Sequence, residues 1–84
     1  MQEFQVGDLV RSIAGRDKDS FYIIVKIDGE FLYLADGKYK FVDKPKKKRK
    51  KHSVFIKRNK SDHTHTDLQI KRMLKLYIKE ELPK

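Results

Sequence analysis

Phe21-Tyr22-Ile23-Ile24-Val25-Lys26-Ile27-Asp28-Gly29-Glu30-Phe31-Leu32-Tyr33-Leu34-Ala35-Asp36-Gly37 decides the fold of this chain. Phe21–Ile27 is dominated by β-branched and aromatic side chains, which suit a pleated, half-buried strand. Alternation sets Phe21, Ile23, Val25 and Ile27 on one face and Tyr22, Ile24 and Lys26 on the other. Asp28-Gly29 reads as a two-residue hairpin turn, because this pair tolerates the positive φ angles of a type I′ turn. Phe31–Ala35 is the next strand, and Asp36-Gly37 is a second turn of the same chemistry. Lys38–Asp43 reads as a further strand, with Tyr39 and Phe41 alternating against Lys40 and Val42.

Upstream, Val6–Ile13 reads as a strand and Ala14–Ser20 as a polar loop containing Gly15. Residues 1–43 thus hold four short antiparallel strands, a meander that curls into a small half-open barrel. Downstream, residues 53–58, centred on Val54-Phe55-Ile56, are placed to add a closing strand over an edge that would otherwise be open to aggregation. Asn59–Thr64 is a polar loop. Thr66-Asp67-Leu68-Gln69 matches a capping box. Ile70, Met73, Leu74, Tyr77 and Ile78 follow at i, i+3, i+4, i+7 and i+8, the apolar stripe of an amphipathic helix. Asp67 suits the positive end of the helix dipole, and Pro83 ends a helix placed at residues 66–82. The expected fold class is mainly β, a small barrel with a C-terminal α-helix.

With 84 residues the chain supports one modest core. It carries 21 Lys+Arg against 12 Asp+Glu, a net charge of +9, with a pI near 9.8. A small protein this basic works against a polyanion, nucleic acid or an anionic membrane surface. The charge is unevenly placed: residues 1–43 carry net −2, residues 44–60 net +10 and residues 61–84 net +1. Like charges that dense repel one another, so residues 44–52 read as an extended basic linker arm, opened by Pro45. No cysteine is present, which excludes disulfides, thiolate nucleophiles and cysteine-based zinc sites. No apolar run exceeds five residues, the length of Phe21–Val25, against the ~20 that a membrane span needs. Met1–Gln5 has neither a basic nor an apolar leader character, so no secretory signal is expected and a cytoplasmic location is.

The stretch from Val6-Gly7-Asp8-Leu9-Val10, through Ala14-Gly15-Arg16-Asp17-Lys18 and Ile23-Ile24-Val25, to Asp36-Gly37 resembles the KOW motif of several ribosomal proteins and transcription-elongation factors. With Leu32-Tyr33-Leu34-Ala35-Asp36-Gly37 it is most similar to the L14e-like family of large-subunit ribosomal proteins. The resemblance covers residues 6–51, and the loop signature is its most specific part. It implies an SH3-like barrel and RNA binding, usually to ribosomal RNA. The sequence departs from it at Asp19, where many such motifs carry Gly. Gly permits close backbone approach or an unusual φ, and Asp19 is expected to do neither.

The candidate RNA-binding residues follow from charge and placement. The basic run supplies Lys44, Lys46, Lys47, Lys48, Arg49, Lys50 and Lys51, continued by Lys57, Arg58 and Lys60. Polycations of this kind bind phosphate backbones by releasing counterions. Arg11, Arg16 and Lys18 lie on or beside the Gly15 loop, where they either clamp phosphates or pair locally with Asp8, Asp17 and Asp19. Lys38 and Lys40 flank the second turn and extend the same surface. Phe21, Phe31, Tyr33, Tyr39 and Phe41 can stack bases, but a barrel this small calls for them in its core. Tyr22 and Tyr39 are the expected exceptions, with their hydroxyls in solvent. On the helix, Lys71, Arg72, Lys75 and Lys79 fall off the apolar stripe. His63 and His65 read as part of a polar loop rather than a metal site. No nucleophile motif, phosphate-binding glycine loop or paired carboxylates are found, so neither catalysis nor a cofactor is expected. The expectation is a monomeric, non-catalytic RNA-binding protein associated with ribosomal RNA, with ribosomal proteins as further candidate partners and no membrane. The alternative is an interaction module whose barrel and helix bind a translation or transcription factor.

Overall fold

A computed structural model describes residues 3–16, 18–58 and 66–81, with side chains to Tyr77 in the last stretch. Five strands, β1 (Leu9–Ser12), β2 (Phe21–Asp28), β3 (Phe31–Ala35), β4 (Lys46–Arg49) and β5 (Ser53–Lys57), are followed by helix α1 (Asp67–Glu81). The strands form one antiparallel sheet in the order β4-β3-β2-β1-β5. The chain is thus a mainly β, barrel-like domain with a C-terminal helix.

The quoted stretch forms β2 and β3, with two local differences. Asp28 pairs with Phe31, so the turn is centred on Gly29-Glu30 rather than Asp28-Gly29. Gly29 has φ +59°, and Glu30 is not in the positive region, as in a II′ rather than a I′ turn. The register also shifts between Ile24 and Lys26. Such a bulge puts two residues opposite one and inverts the alternation beyond it. Phe21, Ile23 and Val25 pack on the outer face, but Ile27 joins Tyr22 and Ile24 inside, and Lys26 is exposed.

The fourth strand lies at Lys46–Arg49, not at Lys38–Asp43. Asp36 prevents the earlier one: its Oδ1 accepts the backbone N–H groups of Lys38, Tyr39 and Lys40 at 2.8–2.9 Å. A short carboxylate that binds three successive amides winds the chain into a loop and removes them from any ladder. Residues 44–52 are correspondingly not a linker arm. Lys46, Lys47, Lys48 and Arg49 pair with Leu34, Tyr33, Leu32 and Phe31, and a 3-10 turn (Lys50–His52) leads directly into β5. Alternate cations point to opposite sides of the strand, which relieves the repulsion that the linear sequence suggests.

β5 pairs with the second edge of β1. At the other edge, Lys48 of β4 donates to Ser12 Oγ and to the Ala14 carbonyl, both at 2.8 Å. Two strands separate β4 from β1 in the sheet order, so this contact across the interior marks how far the sheet has curled. Val10, Tyr22, Ile24, Leu32 and Leu34 fill the interior. A second core lies outside, where Leu9, Ile23 and Ala35 meet Ile70 and Leu74 of α1. Phe21 and Tyr77 close its margin with ring centroids 5.3 Å apart.

The helix is seated at its first turn. Thr66 and Gln69 exchange reciprocal hydrogen bonds, Gln69 N–H to Thr66 Oγ1 at 3.2 Å and Thr66 N–H to Gln69 Oε1 at 3.0 Å. Asp67 Oδ1 accepts the Val42 amide at 2.7 Å, which ties the Asp36–Lys44 loop to the helix. Gly37, at φ +74°, lies beneath this turn, and a Cβ there would overlap the Asp67 carbonyl oxygen and approach the Lys71 amide to 3.0 Å. Among the described residues no helix is long and apolar enough to cross a membrane.

Candidate nucleic-acid interface

Helix α1 covers only part of the sheet's outer face. Along β3 the outward residues are Phe31, Tyr33 and Ala35, and only Ala35 lies under the helix. Beside them the bulge delivers Lys26 from β2, while the parity of β4 delivers Lys47 and Arg49. The three cations are exposed and the two rings half-buried. Lys47 Nζ sits 4.2 Å from the Phe31 ring centroid and Arg49 Cζ 5.4 Å from it, while Lys26 Nζ is 5.3 Å from the Tyr33 centroid. The face is therefore a row of aromatic rings edged on both sides by cations. Asp28 stands opposite Phe31 in register and brings one carboxylate to its end.

The basic run divides by direction. Lys47 and Arg49 face outward, but Lys48 is 9 % exposed, with its ammonium held inside the barrel, so it does not belong to a phosphate-binding surface. Its stem is apolar, and its charged end joins a hydrogen-bonded group in which Ser12 Oγ itself donates to the Ala14 carbonyl at 3.2 Å. Lys46 is half-buried on the same inward parity. Lys50 gives its amide to the Glu30 carbonyl at 2.8 Å and is half-buried, whereas Lys44, Lys51 and Lys57 are exposed.

Arg58 is also engaged elsewhere. It donates to the fully buried Asp8 carboxylate at 3.2 and 3.4 Å and to the Glu3 carbonyl at 2.9 Å. Asp8 Oδ2 further accepts the Gln5 amide at 2.8 Å, so this cluster fastens the first described residues to the end of β5. Arg11 takes the local pairing, with Nε shielded from solvent and 3.9 Å from Asp19 Oδ1. Asp19 itself has φ +72°, so it adopts the unusual backbone that its identity was expected to disfavour. Asp is among the few non-Gly residues that tolerate this region.

Arg16 and Lys18 are exposed on the β1–β2 loop. Lys38 is exposed, its Nζ 5.0 Å from the Tyr39 centroid, and Lys40 is half-buried. Arg11 pairs with Phe21, and Ile23 with Ala35, so the β1–β2 and β3–β4 loops leave the sheet at one end. That end gathers Arg16, Lys18, Lys38 and Lys44. Lys71, Arg72 and Lys75 are exposed on α1. Lys60, His63 and His65 lie outside the described residues.

Sequence reasoning missed Lys26, because the bulge that turns it outward has no signature in the alternation. It also placed Phe31 and Tyr33 in the core, whereas they lie on the outer face. Tyr39 is 72 % exposed as expected, but Tyr22 is 4 % exposed and belongs to the interior. No family model matches the chain, and no curated protein matches it.

Proposed function

We propose that this chain is a non-catalytic RNA-binding protein of the cytoplasm that associates with ribosomal RNA through the outer face of β2, β3 and β4. The observation that carries this reading is the placement of Lys26, Lys47 and Arg49 around Phe31 and Tyr33 on one face of the sheet. Cations held by strands lose less conformational freedom on meeting a phosphate backbone than those of a flexible tail. The exposed Lys44 and Lys51 and the loop cations Arg16, Lys18 and Lys38 widen the field that draws RNA to this face. The likeness of the Gly15 loop to the KOW motif supports RNA, and ribosomal RNA in particular, as the polyanion.

Titration of labelled RNA at several salt concentrations tests the reading. If about five phosphates are neutralised on a single strand, log K falls against log[salt] with a slope of about −3.5. Lys47→Gln and Arg49→Gln each reduce that slope by about 0.7 to 1. A flat salt response overturns the proposal.

One observation favours the alternative of a protein-interaction module. Leu68 and Leu76 on α1 are 58 % and 56 % exposed, apolar side chains two turns apart on the helix surface. Binding of a translation or transcription factor that survives Lys47→Gln and Arg49→Gln but is lost in Leu68→Ser/Leu76→Ser would decide for it.

A further inference from the structure

We infer that Phe31 and Tyr33 are seats for unpaired bases, so that the β2–β3–β4 face selects single-stranded RNA over duplex; this rests on the RNA-binding reading above. Three features of the face point to stacking as well as charge. First, the two residues stand at alternate positions of one strand, a backbone spacing of about 6.6 Å, and so present two seats in a row. Second, cations lie over the rings themselves, Lys47 4.2 Å from one centroid and Lys26 5.3 Å from the other. What lies over each ring is therefore exposed, long and rotatable side chains, Lys47 and Arg49 at Phe31 and Lys26 at Tyr33.

Third, the exchange is favourable. A surface cation–π contact is worth a factor of about 2 to 5 in an equilibrium constant, whereas a base stacked on an aromatic ring contributes about 5 to 150. A displaced Lys or Arg then meets a phosphate of that nucleotide, so its charge is matched again. In a duplex the bases already stack on one another, and the A-form major groove is too narrow to admit side chains. Duplex RNA can use the cations but not the rings. Leu32 and Leu34, on the opposite side of β3, are fully buried in the barrel interior, so the core does not depend on the two rings.

The test uses the full chain, an oligouridine 12-mer, a 12-base-pair RNA duplex and a 12-mer carrying 2-aminopurine, all at 150 mM salt. The single strand is expected to bind at least tenfold more tightly than the duplex, and 2-aminopurine fluorescence to be quenched on binding. Phe31→Leu and Tyr33→Leu each lower the single-strand to duplex affinity ratio by about 5-fold or more, and Tyr33→Phe, which restores the ring, recovers it. Equal affinity for the two RNAs with no quenching overturns the stacking inference while the salt-dependent RNA reading stands. Absence of salt-dependent binding to either RNA overturns both. Quenching with the unaltered chain decides the matter even if a leucine variant fails to fold.

Discussion

Lys47 and Lys48 are chemically identical neighbours with opposite surroundings. One lies over an aromatic ring in solvent, and the other donates to Ser12 Oγ and the Ala14 carbonyl inside the barrel. Replacing Lys48 by Met keeps most of the stem and removes the donor. It should lower stability by about 1.5–3 kcal/mol, the usual contribution of hydrogen bonds made by a charged group. A urea titration measures this, and under the proposed function the folded fraction keeps its RNA affinity. Residue identity made the charge of the basic run legible, but not the direction of each side chain. Direction depends on register against β3, and register is fixed by Leu32 and Leu34, which must face inward. Arg58 and Asp8 were equally hidden from linear reading, since they meet across 50 positions of sequence. Asp19 shows the reverse case, where a residue expected to disfavour a backbone conformation adopts it.

Among the elements, β2, β3 and α1 were readable because each carries a strong local pattern. β2 and β3 are rich in β-branched and aromatic residues, and α1 has both a capping box and an apolar stripe. β4 was not readable. Four consecutive cations have poor strand propensity, and their order comes from pairing with β3 and from Lys48 reaching β1. The misplaced strand at Lys38–Asp43 failed for a local reason, the three amides gathered by Asp36. The element most sensitive to a small change is α1. Its first turn lies so close to Gly37 that even a methyl group cannot fit, and the positive φ there disfavours any side chain. Gly37→Ala should cost about 2–4 kcal/mol in all, from backbone strain and overpacking. A lower thermal midpoint by circular dichroism, with early loss of helical signal, would register the helix lifting from the sheet.

For the whole molecule, the net charge of +9 is not that of a neutral barrel with a detachable tail. The densest part of it is a structural strand. Excision of residues 44–51 should therefore abolish the cooperative thermal transition rather than leave a folded, RNA-blind protein, because β3 loses its partner and the interior loses Lys48. A differential scanning calorimetry trace that keeps its peak after the excision would disprove this. The interior position of β1, next to the edge strand β5 and paired on its other side with β2, has a further consequence. During synthesis the nascent chain can form the β1–β2–β3 meander early from near neighbours, but one edge of β1 stays open until Ser53–Lys57 has emerged. Loop-closure entropy opposes that last pairing until the whole intervening chain is ordered, so barrel closure belongs to the end of folding. The Asp8–Arg58 pair forms only then, and it acts as the clasp of a closed sheet while α1 has still to be made.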